Sequence, residues 1–167
     1  ELYSDGPHVA TFAYEIGDDD LGEESSLGVD LSVRRLAGRV RGEVNLFWDD
    51  FDDYIYDRAT GDVDVGSGLP IYEFTQDDAE FRGLEAVVHV ELFHSEPHHV
   101  ELDLRYDTVR AEFADGTPLP RIPASRYGLA VQYQGTKLWG NLEVLCTEEQ
   151  DRVNPLYEGR RFEAVDF

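Results

Sequence analysis

The stretch Leu27-Gly28-Val29-Asp30-Leu31-Ser32-Val33-Arg34, resumed after Ala37-Gly38 by Val40-Arg41-Gly42-Glu43-Val44-Asn45-Leu46-Phe47-Trp48-Asp49, decides the fold class. Leu27, Val29, Leu31 and Val33 alternate with Gly28, Asp30, Ser32 and Arg34, the period that puts successive side chains on opposite faces of a strand. A helix, with about 3.6 residues per turn, would scatter the same residues around its circumference. Val40, Val44, Leu46 and Trp48 continue the alternation, with Gly42 as its one gap, so the two runs read as a long hairpin turning at Ala37-Gly38.

The pattern repeats downstream. Leu84, Ala86, Val88, Val90 and Leu92 stand against Glu85, Val87, His89 and Glu91. Across the turn Ser95-Glu96-Pro97-His98, the next strand sets Val100, Leu102, Leu104 and Tyr106 against Glu101, Asp103, Arg105 and Asp107. A third pair joins Tyr127, Leu129, Val131 and Tyr133 through Gln134-Gly135-Thr136-Lys137 to Leu138, Leu142 and Val144, and a further strand is expected near Phe162. Connections at 36–39, 94–98 and 134–137 are short, whereas 57–70, 114–123 and 147–160 are longer and carry Gly, Pro, Asp and Thr. Short and long take turns along the chain. The expectation is an all-β, antiparallel up-and-down meander with its short turns at one edge and its long loops at the other.

Composition bounds what such a sheet can be. The chain has 167 residues and 14 Lys+Arg against 36 Asp+Glu, a formal charge of −22, yet 41% of it is apolar and 12% aromatic, which excludes a disordered acidic tail. No apolar run exceeds three residues, so no helix of the roughly 20 apolar residues that span a bilayer is present. The acidity disfavours nucleic acid, whose phosphates need Lys and Arg, and it attracts cations. Cys146 is the only cysteine, excluding an internal disulfide and a Cys-rich zinc module. The absence of methionine predicts a processed form or a piece of a longer protein. No Gly-x-Ser-x-Gly, P-loop or His-Glu-x-x-His motif occurs, and no enzyme activity is expected.

An amphipathic antiparallel sheet has two physical solutions. Its apolar face turns inward in a soluble sandwich or small barrel, or outward to lipid in an outer-membrane barrel whose polar face lines the lumen. Strand lengths near the 9–11 residues of a tilted bilayer crossing favour the membrane form, as does the separation of short turns from long loops. Trp48, Phe51, Tyr54, Tyr56, Tyr72 and Phe74, gathered near strand ends, predict an interfacial aromatic girdle. The alternative is a soluble acidic β-sheet module for binding or adhesion, with calcium as a possible ligand.

Several stretches resemble a known family. Glu1-Leu2-Tyr3-Ser4-Asp5-Gly6-Pro7-His8-Val9-Ala10-Thr11, Tyr14-Glu15-Ile16-Gly17-Asp18 and Leu21-Gly22-Glu23-Glu24-Ser25-Ser26 look like the C-terminal part of a TonB-dependent outer-membrane receptor barrel. Phe51-Asp52-Asp53-Tyr54-Ile55-Tyr56, Phe81-Arg82-Gly83-Leu84-Glu85, Pro120-Arg121-Ile122-Pro123-Ala124 and Gln150-Asp151-Arg152 continue the likeness over nearly the whole chain, which is most similar to the zinc-uptake receptors. The resemblance implies location in the bacterial outer membrane and contact with its lipid. It implies a barrel of about 22 strands around a plug domain. The plug would couple it to the TonB complex. Residues 1–167 would be part of that barrel, without plug domain or last strands, and no nucleic acid would be a partner.

The resemblance also directs attention to a metal. His8 lies where the zinc receptors carry a histidine of an external metal site, with Asp5 and Glu15 as neighbouring carboxylate candidates. Imidazole nitrogen and carboxylate oxygen both suit zinc, the transported ligand in this reading; no resident cofactor is expected. His94, His98 and His99 form the one histidine cluster, on an expected short turn, and His89 reads as a hydrogen-bonded lumen residue. The acidic runs Asp18-Asp19-Asp20 with Glu23 and Glu24, and Asp49-Asp50 with Asp52-Asp53, lack the Gly and terminal Glu of an EF-hand and read as solvated loops.

Overall fold

The computed structural model describes residues 5–155; the strand expected near Phe162 lies outside them. Eight strands form one sheet: β1 (Gly6–His8), β2 (Ala13–Ile16), β3 (Ser25–Arg35), β4 (Val40–Val63), β5 (Pro70–Ser95), β6 (His98–Phe113), β7 (Arg126–Gln134) and β8 (Trp139–Thr147). Strands β3 to β8 pair in sequence order, each antiparallel to the next. This is the meander that the alternation predicts. Among the described residues, β3 and β8 each pair on one side only, so the sheet is open.

Register explains why alternation matters. Val33 faces Val44, which faces Ala86, then Tyr106, Tyr127 and Cys146 across β3 to β8. One layer along, Val88, Leu104, Leu129 and Val144 align, and in the next Val90, Leu102, Val131 and Leu142. Cross-strand partners share a face, so these layers make a continuous apolar band. That band is bare: Leu31 is 57% exposed and Leu142 72% exposed. An apolar face of this extent marks contact with lipid or another apolar partner.

The opposite face is polar and internally paired. Arg34 bridges Glu43 at 2.7 Å, Arg105 bridges Glu143 at 3.0 Å and Arg126 bridges Asp107 at 2.9 Å. Asp103, 1% exposed, is held between His89, at 2.6 Å, and the side-chain amide of Gln132, so His89 is the hydrogen-bonded residue its strand position implies. Gly83 is required here by close approach: a Cβ would lie 2.3 Å from the Phe47 ring, which crosses the strand at that point.

Three expectations need correction. The connection 57–70 is mostly strand, because β4 continues to Val63 and β5 begins at Pro70, leaving Asp64–Leu69 as the turn, closed by Asp64 N–H to Leu69 O at 2.8 Å. Thr60, Gly61 and Asp62 carry loop chemistry and form an irregularity inside the strand, between the paired residues Ala59↔Tyr72 and Val63↔Pro70. The segment before Leu27, where no alternation marks a strand, is paired as well: β1 and β2 form a hairpin, and β2 adds in parallel to β5 through Tyr14↔Ile71, Glu15↔Tyr72 and Ile16↔Glu73. It occupies the β5 edge beyond Ala79, where pairing with β6 ends at Phe113.

The third correction concerns the girdle. Trp48 lies on the apolar face, opposite Val29. Phe51, Tyr54 and Tyr56 instead pack with Phe81 against a core of Ala79, Ala111, Phe113 and Leu119, and Tyr72 is buried. The cause is a bulge between Phe51 and Tyr54, with Asp53 at φ +58, which skips a step of the alternation. Phe51 and Tyr54 consequently meet Phe81 on one side, with ring centroids 5.2 and 5.3 Å from it.

Candidate functional site

The end carrying the long connections gathers the residues singled out for metal binding. The β1/β2 hairpin sets His8 opposite Ala13 and Gly6 opposite Glu15, and docking on β5 fixes both against the wall. His8 Nδ1 lies 3.1 Å from Thr11 Oγ1, which donates to Glu15 Oε1 at 2.7 Å. Because that hydroxyl proton goes to the carboxylate, Nδ1 of a neutral His8 is the donor and its lone pair sits on Nε2. Glu15 is 8% exposed, with Oε1 3.5 Å from His8 Nδ1. His8 and Glu15 are thus brought together. Asp5 is exposed, and its Oδ1 accepts the Gly17 backbone N–H at 3.1 Å.

A cleft beside this pair is lined by His8, Glu15, Tyr56, Asp57 and Arg121. Arg121, from the Pro-Arg-Ile-Pro stretch, adopts φ +63 and forms an ion pair with buried Asp57. Burial pushes the Asp57 carboxyl above its ordinary range, and the Arg121 guanidinium opposes that shift only in part. The adjoining loop is tied down by Asn154 Nδ2 to Pro118 O at 2.9 Å and Gln150 Nε2 to Ile122 O at 2.8 Å. Sequence reasoning missed Asp57 because it falls inside an expected loop; the chemical signal was a carboxylate between Tyr54-Ile55-Tyr56 and Arg58.

The histidine cluster at the other end splits. His98 goes to Tyr133, 2.7 Å from its hydroxyl. His94 and His99 are a cross-strand pair with Nδ1 atoms 3.2 Å apart, and Glu91 joins them. Spacing alone would have placed Glu91 and His94 on opposite faces. The register shift between Glu91 and Phe93 leaves Leu92 as an extra residue and brings both onto the polar face. The acidic runs gain ordinary local roles: Asp18 Oδ1 accepts from Asp20 N–H, and Glu24 Oε2 from Ile55 N–H.

A family model described as "TonB dependent receptor-like, beta-barrel" matches residues 1–163. Among solved structures, one titled "Copper transporter OprC" aligns with a TM-score of 0.71 and 15% identity, covering 81% of this chain and 20% of that one. At that identity the likeness speaks to the fold. The chain spans about a fifth of the length of that solved chain.

Proposed function

This chain belongs to the TonB-dependent receptor β-barrel family of the bacterial outer membrane, and on that premise we propose that it forms part of the barrel wall of a receptor taking up zinc or another metal ion or complex. The apolar band is the lipid face and the polar face lines the lumen. Membership of this family sets aside the soluble adhesion-type alternative, and the family is one of transporters and receptors rather than enzymes. The rest of the barrel, a plug domain and the coupling to the TonB complex belong to this proposal.

The observation that carries the metal reading is the His8–Thr11–Glu15 relay at the long-connection end. It holds the His8 ring through Nδ1 and so presents Nε2, a donor type that zinc and copper accept, with Glu15 behind the ring as its orienting carboxylate. Similarity to a protein titled a copper transporter supports metal as the cargo class. Asp5 stands just before β1 with one carboxylate oxygen taken by the Gly17 N–H, and the surplus of carboxylates draws cations toward the mouth. Zn²⁺ titration of the complete receptor tests this: His8→Ala should weaken capture at the external site, and equal affinities would remove His8 from it.

A further inference from the structure

The opposite, short-turn end holds a second arrangement that the transport reading does not use. Glu91 Oε2 lies 3.5 Å from His94 Nδ1 and 3.7 Å from His99 Nδ1, and the two nitrogens are 3.2 Å apart. A triangle with these edges has its centre about 2.0 Å from all three donor atoms, the bond length of Zn²⁺ to imidazole nitrogen or carboxylate oxygen. Donors of a tetrahedral zinc at that length are about 3.3 Å apart, so the three edges straddle the expected value. No backbone movement is needed to bring the ligands together.

The surroundings favour the same use. His99 turns its other nitrogen, Nε2, to within 3.7 Å of Glu101 Oε2. At that separation the carboxylate favours a proton on Nε2 electrostatically, leaving the Nδ1 lone pair for the metal. Arg39 stands 3.8 Å from the second oxygen of Glu91, which leaves Oε2 directed at the histidines. Glu101 is anchored in turn by Arg41. His94 is more than half exposed, so a fourth position is open to solvent.

We propose that Glu91, His94 and His99 form a site for a divalent transition metal of the zinc or copper class at the short-turn rim of the barrel, with Glu101 positioning His99. Two imidazoles and one carboxylate suit these ions and not magnesium or calcium, which take oxygen ligands. The bulge at Leu92 is what makes the site, since it alone puts Glu91 and His94 on one face. The site stands at the far end of the wall from His8 and is independent of what the receptor carries.

The test uses the full-length receptor in detergent, stripped of metal and titrated with Zn²⁺ alone, beside His94→Ala/His99→Ala, Glu91→Gln and Glu101→Gln. The double variant should lose one equivalent of zinc, whereas His8→Ala should keep that equivalent. Glu101→Gln should keep the stoichiometry and weaken this equivalent about 10- to 100-fold, the range for a lost partner behind a metal ligand. Unchanged zinc binding in the double variant overturns the site, and unchanged affinity in Glu101→Gln overturns the positioning role. Should the double variant fail to fold, electron paramagnetic resonance of Cu²⁺ on the wild-type receptor decides: coupling to two imidazole nitrogens that disappears in Glu91→Gln or on zinc addition is expected, and its absence overturns the proposal.

Discussion

The two halves of the long strands β4 and β5 obey different rules. Below Phe51 the register between β4 and β5 is unbroken, Val40 and Leu46 are exposed on the apolar face, and the polar face is tied by ion pairs. Above Phe51 the strands bulge, the β1/β2 hairpin docks on the edge with β2 parallel to β5, and aromatic residues turn into a small core with Phe113 and Leu119. In the proposed reading the same chain is solvated by two media. In lipid, apolar side chains gain by facing out and every backbone group must be paired within the ladder, so the register is strict. In water, apolar side chains gain by facing in, and irregular backbone is tolerated wherever it packs.

Phe113→Ala should have the largest effect. It empties the core above the membrane, where Phe113 is 7% exposed and its ring lies 4.5 Å from that of Tyr56. A loss of about 3–5 kcal/mol is expected, insensitive to bilayer thickness, in equilibrium unfolding of the receptor from vesicles. Leu31→Arg attacks the other half. A charge at mid-depth on the lipid face should cost about 2–4 kcal/mol in the same assay, rising in thicker bilayers, while Ser32→Arg on the neighbouring polar face should cost far less. Equal losses for the two would break the contrast between the faces.

Arg121→Ala comes next. It removes the guanidinium facing buried Asp57, and because Arg121 is half exposed the expected loss is about 1–2 kcal/mol, below the range for a fully buried pair. Burial has already raised the Asp57 carboxyl, so the loss should be full above that raised value, where Asp57 is charged, and shrink as pH falls and the group protonates. Unfolding of wild type and variant across acid pH checks the sign. The smallest effect belongs to Asp115, whose carboxyl is lowered by the Thr117 backbone N–H at 2.8 Å. Its contribution to the turn is present above the unfolded carboxylate range and is lost as pH falls through the depressed value. The protection factor of the Thr117 amide, its exchange relative to the intrinsic rate at each pH, should fall in acid in the wild type and be insensitive to acid in Asp115→Ala.

What was legible in the sequence follows the same division. The hairpin of β3 and β4 was readable because Leu31↔Leu46 and Val33↔Val44 follow from period two alone. The extension of β4 to Val63 was not, because Thr60-Gly61-Asp62 carries turn chemistry that forms an irregularity within the strand, with pairing to β5 resuming at Val63. The inward turn of Tyr54 and the meeting of Glu91 with His94 each depend on one extra residue, a local event with no periodic signature. His8 was singled out by resemblance, but its tie to Glu15 through Thr11 needed the β1/β2 hairpin, which no alternation marks in so short a run.

The central claim is that the apolar band faces lipid, and residue-by-residue accessibility tests it most directly. Cys146 shares that band and is first replaced by Ser; single spin labels are then placed from Val29 to Val33 and from Tyr127 to Tyr133 in the receptor reconstituted into vesicles. Collisions with oxygen, which partitions into lipid, should peak at Val29, Leu31, Val33, Leu129 and Val131. Collisions with a water-soluble nickel chelate should peak at Asp30, Ser32 and Gln132. Equal access of the nickel reagent to both faces, or a peak of it on the apolar set, would contradict the account.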